Sequence, residues 1–100
     1  MMELHILKKT TGDTLGEFAL GDASELIIGR DESCDVRIVH KSVSREHCAI
    51  EHVDGELRLR DLKSTGGTFC GTDRIDEIRI EDGLEITVGP ALLKFYDAGL

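Results

Sequence analysis

Tryptophan is absent from this 100-residue chain, which carries only three phenylalanines and one tyrosine. A core with so few rings must be filled mainly by leucine, isoleucine and valine. Proline occurs once, at Pro90. No apolar run approaches the ~20 residues that a membrane-spanning helix needs, so no spanning segment is expected. The first nine residues carry mixed charge and no small-residue cleavage site follows, which argues against a secretory signal. Cysteine occurs at Cys34, Cys48 and Cys70, an odd number without paired spacing. A small secreted domain is expected to carry an even disulfide framework. Reduced thiols in a cytoplasmic protein fit better. Basic residues are also short, 12 against 20 acids, for a net charge of −8. General nucleic-acid binding needs a basic face and is not expected. A small phosphate cleft is not excluded, because a few clustered bases hold local positive potential on an acidic protein.

What is present suits one packed domain. Hydrophobic residues make up 40% of the chain, enough for a single modest core. Their spacing is that of strands. Met2 to Leu7 is short and apolar, and Thr10-Thr11-Gly12-Asp13 after it reads as a turn. Leu15 to Leu20 and Leu26 to Ile28 follow, separated by Gly21-Asp22. Cys48, Ile50 and His52 fall on one face of a strand, with Ala49 and Glu51 on the other. Asp54-Gly55 marks a hairpin before Leu57-Arg-Leu-Arg-Asp61. Ile78 and Ile80, then Leu84, Ile86 and Val88, then Leu93 and Phe95 alternate with polar neighbours. Pro90 is expected to begin the last strand, where its missing N–H costs least. No window holds a sustained 3.6-residue apolar stripe. The pattern predicts an all-β sandwich of about eleven short strands with almost no helix, one domain over residues 1–100 with its core at about 2–97. The first strand opens at about Met2, the Met-Met start reads as a natural N-terminus, and Gly99-Leu100 fall just past the last strand.

Three loop segments carry the chemistry: Gly29-Arg30, Ser44-Arg45-Glu46-His47, and Ser64-Thr65-Gly66-Gly67-Thr68. Each adjoins a predicted strand, so all three are placed to gather at one end of the sandwich. Arginine presents a planar fork of donors that matches phosphate oxygens. Ser44 and Thr65 add hydroxyls, and Lys41, Arg45 and Lys63 in the same stretches raise the local potential.

Spaced in this order, the segments resemble the forkhead-associated family, whose signature is Gly-Arg, then Ser-Arg-x-His, then Ser-x-Asn-Gly-Thr. The resemblance runs from about Met2 to Tyr96, and Leu84 and Gly89 match its closing region. It implies the forkhead-associated sandwich, similar to that of SMAD domains, and a phosphothreonine-dependent interaction module in serine/threonine kinase signalling. Arg30 would grip the phosphate, Ser44 would hydrogen-bond it, and Arg45 and Thr65 would add contacts. Lys41 and Lys63 would be auxiliary bases. Gly29, His47, Gly67 and Thr68 would shape the loops, with the His47 ring nitrogens tying them together. The partner would be a phosphothreonine-containing protein, met in trans or on a domain outside this chain, by a module expected to be a monomer. Neither a cofactor nor a metal is implied.

One departure stands out. Gly66 occupies the place of the family's asparagine, whose amide holds the peptide backbone. Losing one such bond costs about 0.5–1.5 kcal/mol, and the Gly66-Gly67 pair loosens the loop. Weak phosphate recognition is expected, and the alternative is a partner bound without phosphate. The acidic balance further suggests that basic residues flanking the threonine favour binding. Other chemistry fits poorly. Ser44, His47 and Asp61 form a nominal Ser-His-Asp set, but no Gly-x-Ser-x-Gly elbow frames the serine. Cys48 and His52 share a face but stand about 13 Å apart at ~3.3 Å per residue, too far to share a metal.

Overall fold

The computed structural model describes residues 1–21 and 25–97. Asp22 of the expected Gly21-Asp22 turn and the terminal Gly99-Leu100 lie outside them. Among the described residues there are eleven strands and no helix. In chain order they are β1 (Met2–Lys8), β2 (Thr14–Ala19), β3 (Glu25–Gly29), β4 (Val36–Arg37), β5 (Cys48–Val53) and β6 (Glu56–Asp61). After them come β7 (Thr68–Cys70), β8 (Asp73–Arg74), β9 (Glu77–Arg79), β10 (Glu85–Val88) and β11 (Ala91–Asp97). One sheet runs β2-β1-β11-β10-β7-β8 and the other β4-β3-β5-β6-β9. The short β4, β7 and β8 are too brief to show alternation, and none had a sequence signal of its own.

Period-two patterning explains why these segments pair face to face. Leu4 and Ile6, Ile86 and Val88, and Leu93 and Phe95 point inward from one sheet. Ile28, Cys48, Ile50 and Leu59 meet them from the other. Phe95 is the one aromatic side chain wholly inside this aliphatic core. The burial of Cys48 pushes its thiol far above the ordinary range, so it packs as a small apolar residue. Asp54 and Gly55 have φ of 51° and 80°, and Val53 pairs with Glu56 across them. Two consecutive positive φ values match the primed turn that the Asp-Gly pair favours.

Two expectations need correction. Pro90 does not begin β11 but occupies the two-residue turn before it, since Val88 pairs with Ala91. In that turn its missing N–H leaves the ladder intact, while its carbonyl accepts the Lys9 N–H at 2.9 Å. Ala49, placed by alternation opposite Cys48 and Ile50, is buried like them. It pairs with Ile27 and Arg60 on a central strand, and those longer side chains shield it.

Antiparallel register brings the loops together. Cys48 at the start of β5 stands opposite Ile28 near the end of β3 and Asp61 at the end of β6. The segments leaving β3, entering β5 and leaving β6 therefore emerge at one end of the second sheet.

Candidate functional site

The residue that opens the site is the one with no side chain. A Cβ on Gly29 would lie 2.1 Å from the Arg45 carbonyl oxygen, a separation that no side chain tolerates. The bare backbone lets the two loops clip together, Arg30 N–H to Ser44 O at 2.9 Å and Asp31 N–H to Arg45 O at 3.1 Å. The Arg30 side chain is then aimed by its own Nε, which donates to Val43 O at 3.0 Å. Its two terminal nitrogens keep their donors free of any partner among the described residues. Arg37 braces the turn from behind by donating through Nε to Arg30 O at 2.9 Å. Cys34 adds an S–H contact to Arg45 O at 3.0 Å. Asp31 is engaged by the hydroxyl and N–H of Ser33, which together hold its carboxyl below the usual range.

His47 joins the second loop to the third. It is fully buried, and its Nδ1 accepts the Ser44 N–H at 3.1 Å. A nitrogen that accepts carries no proton, so Nε2 bears the hydrogen and donates to Gly67 O at 2.9 Å. The Nδ1 contact fixes this tautomer, and the Nε2 contact follows from it. Ser44 Oγ accepts the Thr65 N–H at 3.1 Å, which leaves its own hydrogen to donate outward.

Asp61 holds the third loop. Its carboxylate accepts the Ser64 N–H at 3.1 Å, the Ser64 hydroxyl at 2.5 Å and the Thr68 hydroxyl at 2.7 Å. Burial pushes this carboxyl up, but the bonds from Ser64 and Thr68 outweigh it and the net shift is downward. Ser64 Oγ in turn accepts the Gly67 N–H at 3.1 Å, and Arg74 donates to Ser64 O at 2.9 Å. Gly67 has φ of 88°, and a Cβ there would press on Phe69 and Arg74 at 3.0–3.1 Å. Gly66 approaches the second loop so closely that a Cβ would stand 2.9 Å from Ser42 O.

These contacts enclose a cleft of about 460 Å³ lined by Arg30, Lys41, Ser42, Val43, Ser44, Arg45, Thr65 and Gly66. Six of those residues were singled out from the sequence; Ser42 and Val43 were not. Gly29, His47, Gly67 and Thr68 lie behind the cleft. Lys63 lies elsewhere. Its backbone is left-handed, with φ of 59°, and it lines a neighbouring depression beside Arg74, Asp76 and Glu77. Asp61 was considered only for a Ser-His-Asp relay, and that relay is not assembled. His47 faces the Ser44 N–H rather than its hydroxyl, and Asp61 is engaged by Ser64 and Thr68. Its anchoring role was readable in the Asp61-Leu-Lys-Ser64 spacing, which suits a side chain accepting from the backbone and hydroxyl three residues on. Arg74 had no such signal.

Electrostatically the cleft is the reverse of the whole chain. No aspartate or glutamate among the described residues lines it. Among the described residues, Arg30, Lys41 and Arg45 form no ion pair, while Arg58, Arg60, Arg79 and Lys94 each have a carboxylate partner. Three cations without an ion pair, the hydroxyls of Ser42, Ser44 and Thr65, and a water-accessible opening suit a compact polyanion.

A family model described as FHA domain matches residues 26–89. Over 73 residues the chain is 34% identical to an ABC transporter ATP-binding/permease protein of Mycobacterium tuberculosis, an alignment covering 73% of this chain and 8% of that protein. The chain spans between 3% and 19% of the length of four curated relatives that it matches. Among solved structures it is similar to the FhaA FHA domain complexed with the intracellular domain of Rv3910, with a TM-score of 0.80 and 26% identity, covering 95% of this chain and 99% of that one. It is also similar to a structure described by phosphothreonine-dependent FHA domain interactions, with a TM-score of 0.80 and 26% identity, covering 99% and 98%.

Proposed function

The chain belongs to the FHA domain family, and from that premise we propose that it is a non-catalytic module that binds phosphothreonine peptides. The observation that carries the reading is the cleft that, among the described residues, gathers three bases without an ion pair and no acid, on a chain of net charge −8. A phosphothreonine brings about −1.5 to −2 charges and three acceptor oxygens. The free terminal nitrogens of Arg30 suit two of those oxygens, and the Ser44 hydroxyl suits the third. Arg45 and Lys41 complete the field, and Thr65 offers a further donor at the rim. The FHA structures named above, with a protein partner and with phosphothreonine dependence, support carrying the function over. Cytoplasmic action downstream of a serine/threonine kinase follows as the simplest setting for such a ligand.

Gly66 favours a second reading, in which the sandwich binds its partner without phosphate. With no side chain at this position, the loop has no amide to hold the peptide backbone. One calorimetric series separates the two. A degenerate phosphothreonine peptide pool is titrated beside its unphosphorylated and phosphoserine counterparts, against the native chain and Arg30→Ala. Binding confined to the phosphothreonine pool is expected, weakened roughly 30-fold or more in Arg30→Ala, the loss expected when a charged hydrogen-bond donor is removed. Equal binding of all three pools would establish the second reading instead.

A further inference from the structure

A third depression, of about 630 Å³, adjoins the cleft, and its lining is apolar and basic. It lies between β2 and the segment after β4, where edge strands of the two sheets face each other. Leu15 and Phe18 line it from β2, Val39 and His40 from the loop, and Lys8 and Arg37 supply the charge. No acidic residue among the described ones lines it.

Two features show that the groove is built rather than incidental. Leu15 and Phe18 are three positions apart and belong on opposite faces of a regular strand. Here Ile6 pairs with Gly16 and Leu7 with Thr14, so Leu15 is the extra residue of a β-bulge. A bulge re-aims a side chain and twists an edge strand, and this one turns Leu15 toward the hollow that Phe18 lines. The second feature is the exposure of the apolar groups: Leu15 is 57% exposed and Val39 70%. Two large uncovered apolar side chains across one groove are an unsatisfied surface.

Continuity identifies what covers it. Val39 and His40 wall the groove, and Lys41 to Arg45, directly after them, wall the cleft. Pro90 lines the groove, while its neighbour Gly89 packs against Ser42 so tightly that a Cβ would stand 2.7 Å from its hydroxyl oxygen. The two hollows thus share one loop and one turn as their common wall. We propose that the groove receives a segment of the same peptide, distal to its phosphothreonine, carrying an apolar anchor next to an acidic residue. The apolar side chain seats between Leu15, Phe18 and Val39, and its acidic neighbour meets Lys8 and Arg37. This rests on the reading of the cleft as a phosphothreonine site. It also reverses the expectation of basic flanks, because the potential that a bound segment meets is set by nearby bases within about 8 Å rather than by the net charge.

The test is an oriented peptide library with a fixed phosphothreonine and degenerate positions on both sides. It is screened against the native chain, Leu15→Glu, Lys8→Glu and Arg30→Ala. The best long peptide and a short pool confined to residues next to the phosphothreonine are then titrated. The native chain is expected to select an apolar and an acidic residue together on one side only. Leu15→Glu and Lys8→Glu are expected to lose that selection and to weaken the long peptide roughly tenfold, as loss of a buried anchor does, while binding the short pool as the native chain does. Phosphate-dependent binding without distal selection, or selection that survives Leu15→Glu, overturns the groove and leaves the cleft standing. Binding that ignores phosphate overturns the reading of the cleft. Binding of no pool overturns both.

Discussion

Asp61 accepts three hydrogen bonds from the third loop, and its removal is a prediction whose size follows from the structure. Asp61→Ala strips three donors of their acceptor: the N–H and hydroxyl of Ser64 and the hydroxyl of Thr68. Ser64 is 3% exposed and Thr68 fully buried, so neither side chain reaches bulk water without the loop moving. A buried donor left unpaired costs about 1–3 kcal/mol. The three share one acceptor, and water entering the vacated space relieves part of the loss, so the total belongs near ~3 kcal/mol rather than the upper sum. That is a large fraction of the ~5–15 kcal/mol that holds a small domain folded. With roughly 4–8 °C per kcal/mol at this chain length, the melting temperature is expected to fall by about 12–24 °C. Asp61→Asn keeps an oxygen for the hydroxyls but turns an amide toward the Ser64 N–H, and about 1–2 kcal/mol is expected.

The assay is urea unfolding of the native chain, Asp61→Asn and Asp61→Ala, repeated across pH. The native carboxyl titrates below its ordinary value, because the bonds from Ser64 and Thr68 outweigh burial. Its contribution is therefore complete above about pH 5 and fades as the pH falls through the depressed folded value, below about pH 4. The stability gap between the native chain and Asp61→Asn is expected to be flat near neutrality and to narrow only in acid. A loss below ~1 kcal/mol in Asp61→Ala, or a gap that narrows above pH 5, would refute the assignment.

The other predictions concern glycines and the charged outer face. Gly29→Ala is expected to prevent stable folding or to cost more than ~3 kcal/mol, since its Cβ would collide with the Arg45 backbone at 2.1 Å; circular dichroism and melting of the purified variant decide it. Gly66→Ala is expected to lose about 1 kcal/mol of stability as Ser42 O yields to a Cβ at 2.9 Å. Gly66→Asn should share that loss yet bind a phosphothreonine pool three- to tenfold more tightly than Gly66→Ala, the worth of one side-chain hydrogen bond; equal calorimetric affinities would remove any role for an amide there. Arg60→Ala breaks a 2.8 Å ion pair with Glu51 on the outer face and is expected to change stability by less than ~1 kcal/mol and peptide affinity not at all. A larger effect on binding would mean that the outer face takes part in recognition.

How much of this was legible in the sequence depended on the length scale of the signal. The long strands announced themselves through two-residue alternation, and Asp54-Gly55 through the backbone it requires. Leu4, Ile50, Leu59, Ile86 and Phe95 were readable as core for the same reason. What stayed hidden was tertiary. Alternation assigns Ala49 to an outer face, but only the register shows Ile27 and Arg60 beside it. Lys63 looked like part of the cleft because it is one residue from Ser64, yet a left-handed backbone at Lys63 places it at another depression. Nothing local in Asp73-Arg74 betrays that Arg74 reaches back to Ser64 O. The Leu15 bulge was equally invisible, since it exists only as a mismatch between two paired strands.

Charge is where sequence and structure part most instructively. A count over the chain predicts a surface that repels phosphate, and the fold undoes that count by sorting partners. Glu51, Glu56, Glu77 and Glu85 are spent on arginines and a lysine of the sheet faces. Each such pair is nearly neutral beyond a Debye length of about 8 Å. Asp61 is turned onto hydroxyls and a backbone N–H behind the loop, and Asp31 onto Ser33. Arg30, by contrast, satisfies only its Nε, on a backbone carbonyl that leaves the charge uncancelled. Asp31, Glu32 and Glu46 stand beside Arg30 and Arg45 in the same loops, but none of them lines the cleft. The charge of Arg45 reaches Asp31 without a direct ion pair. An acidic domain can in this way hold an anion site whose field depends on three residues, and its affinity should fall with added salt far more steeply than its stability does.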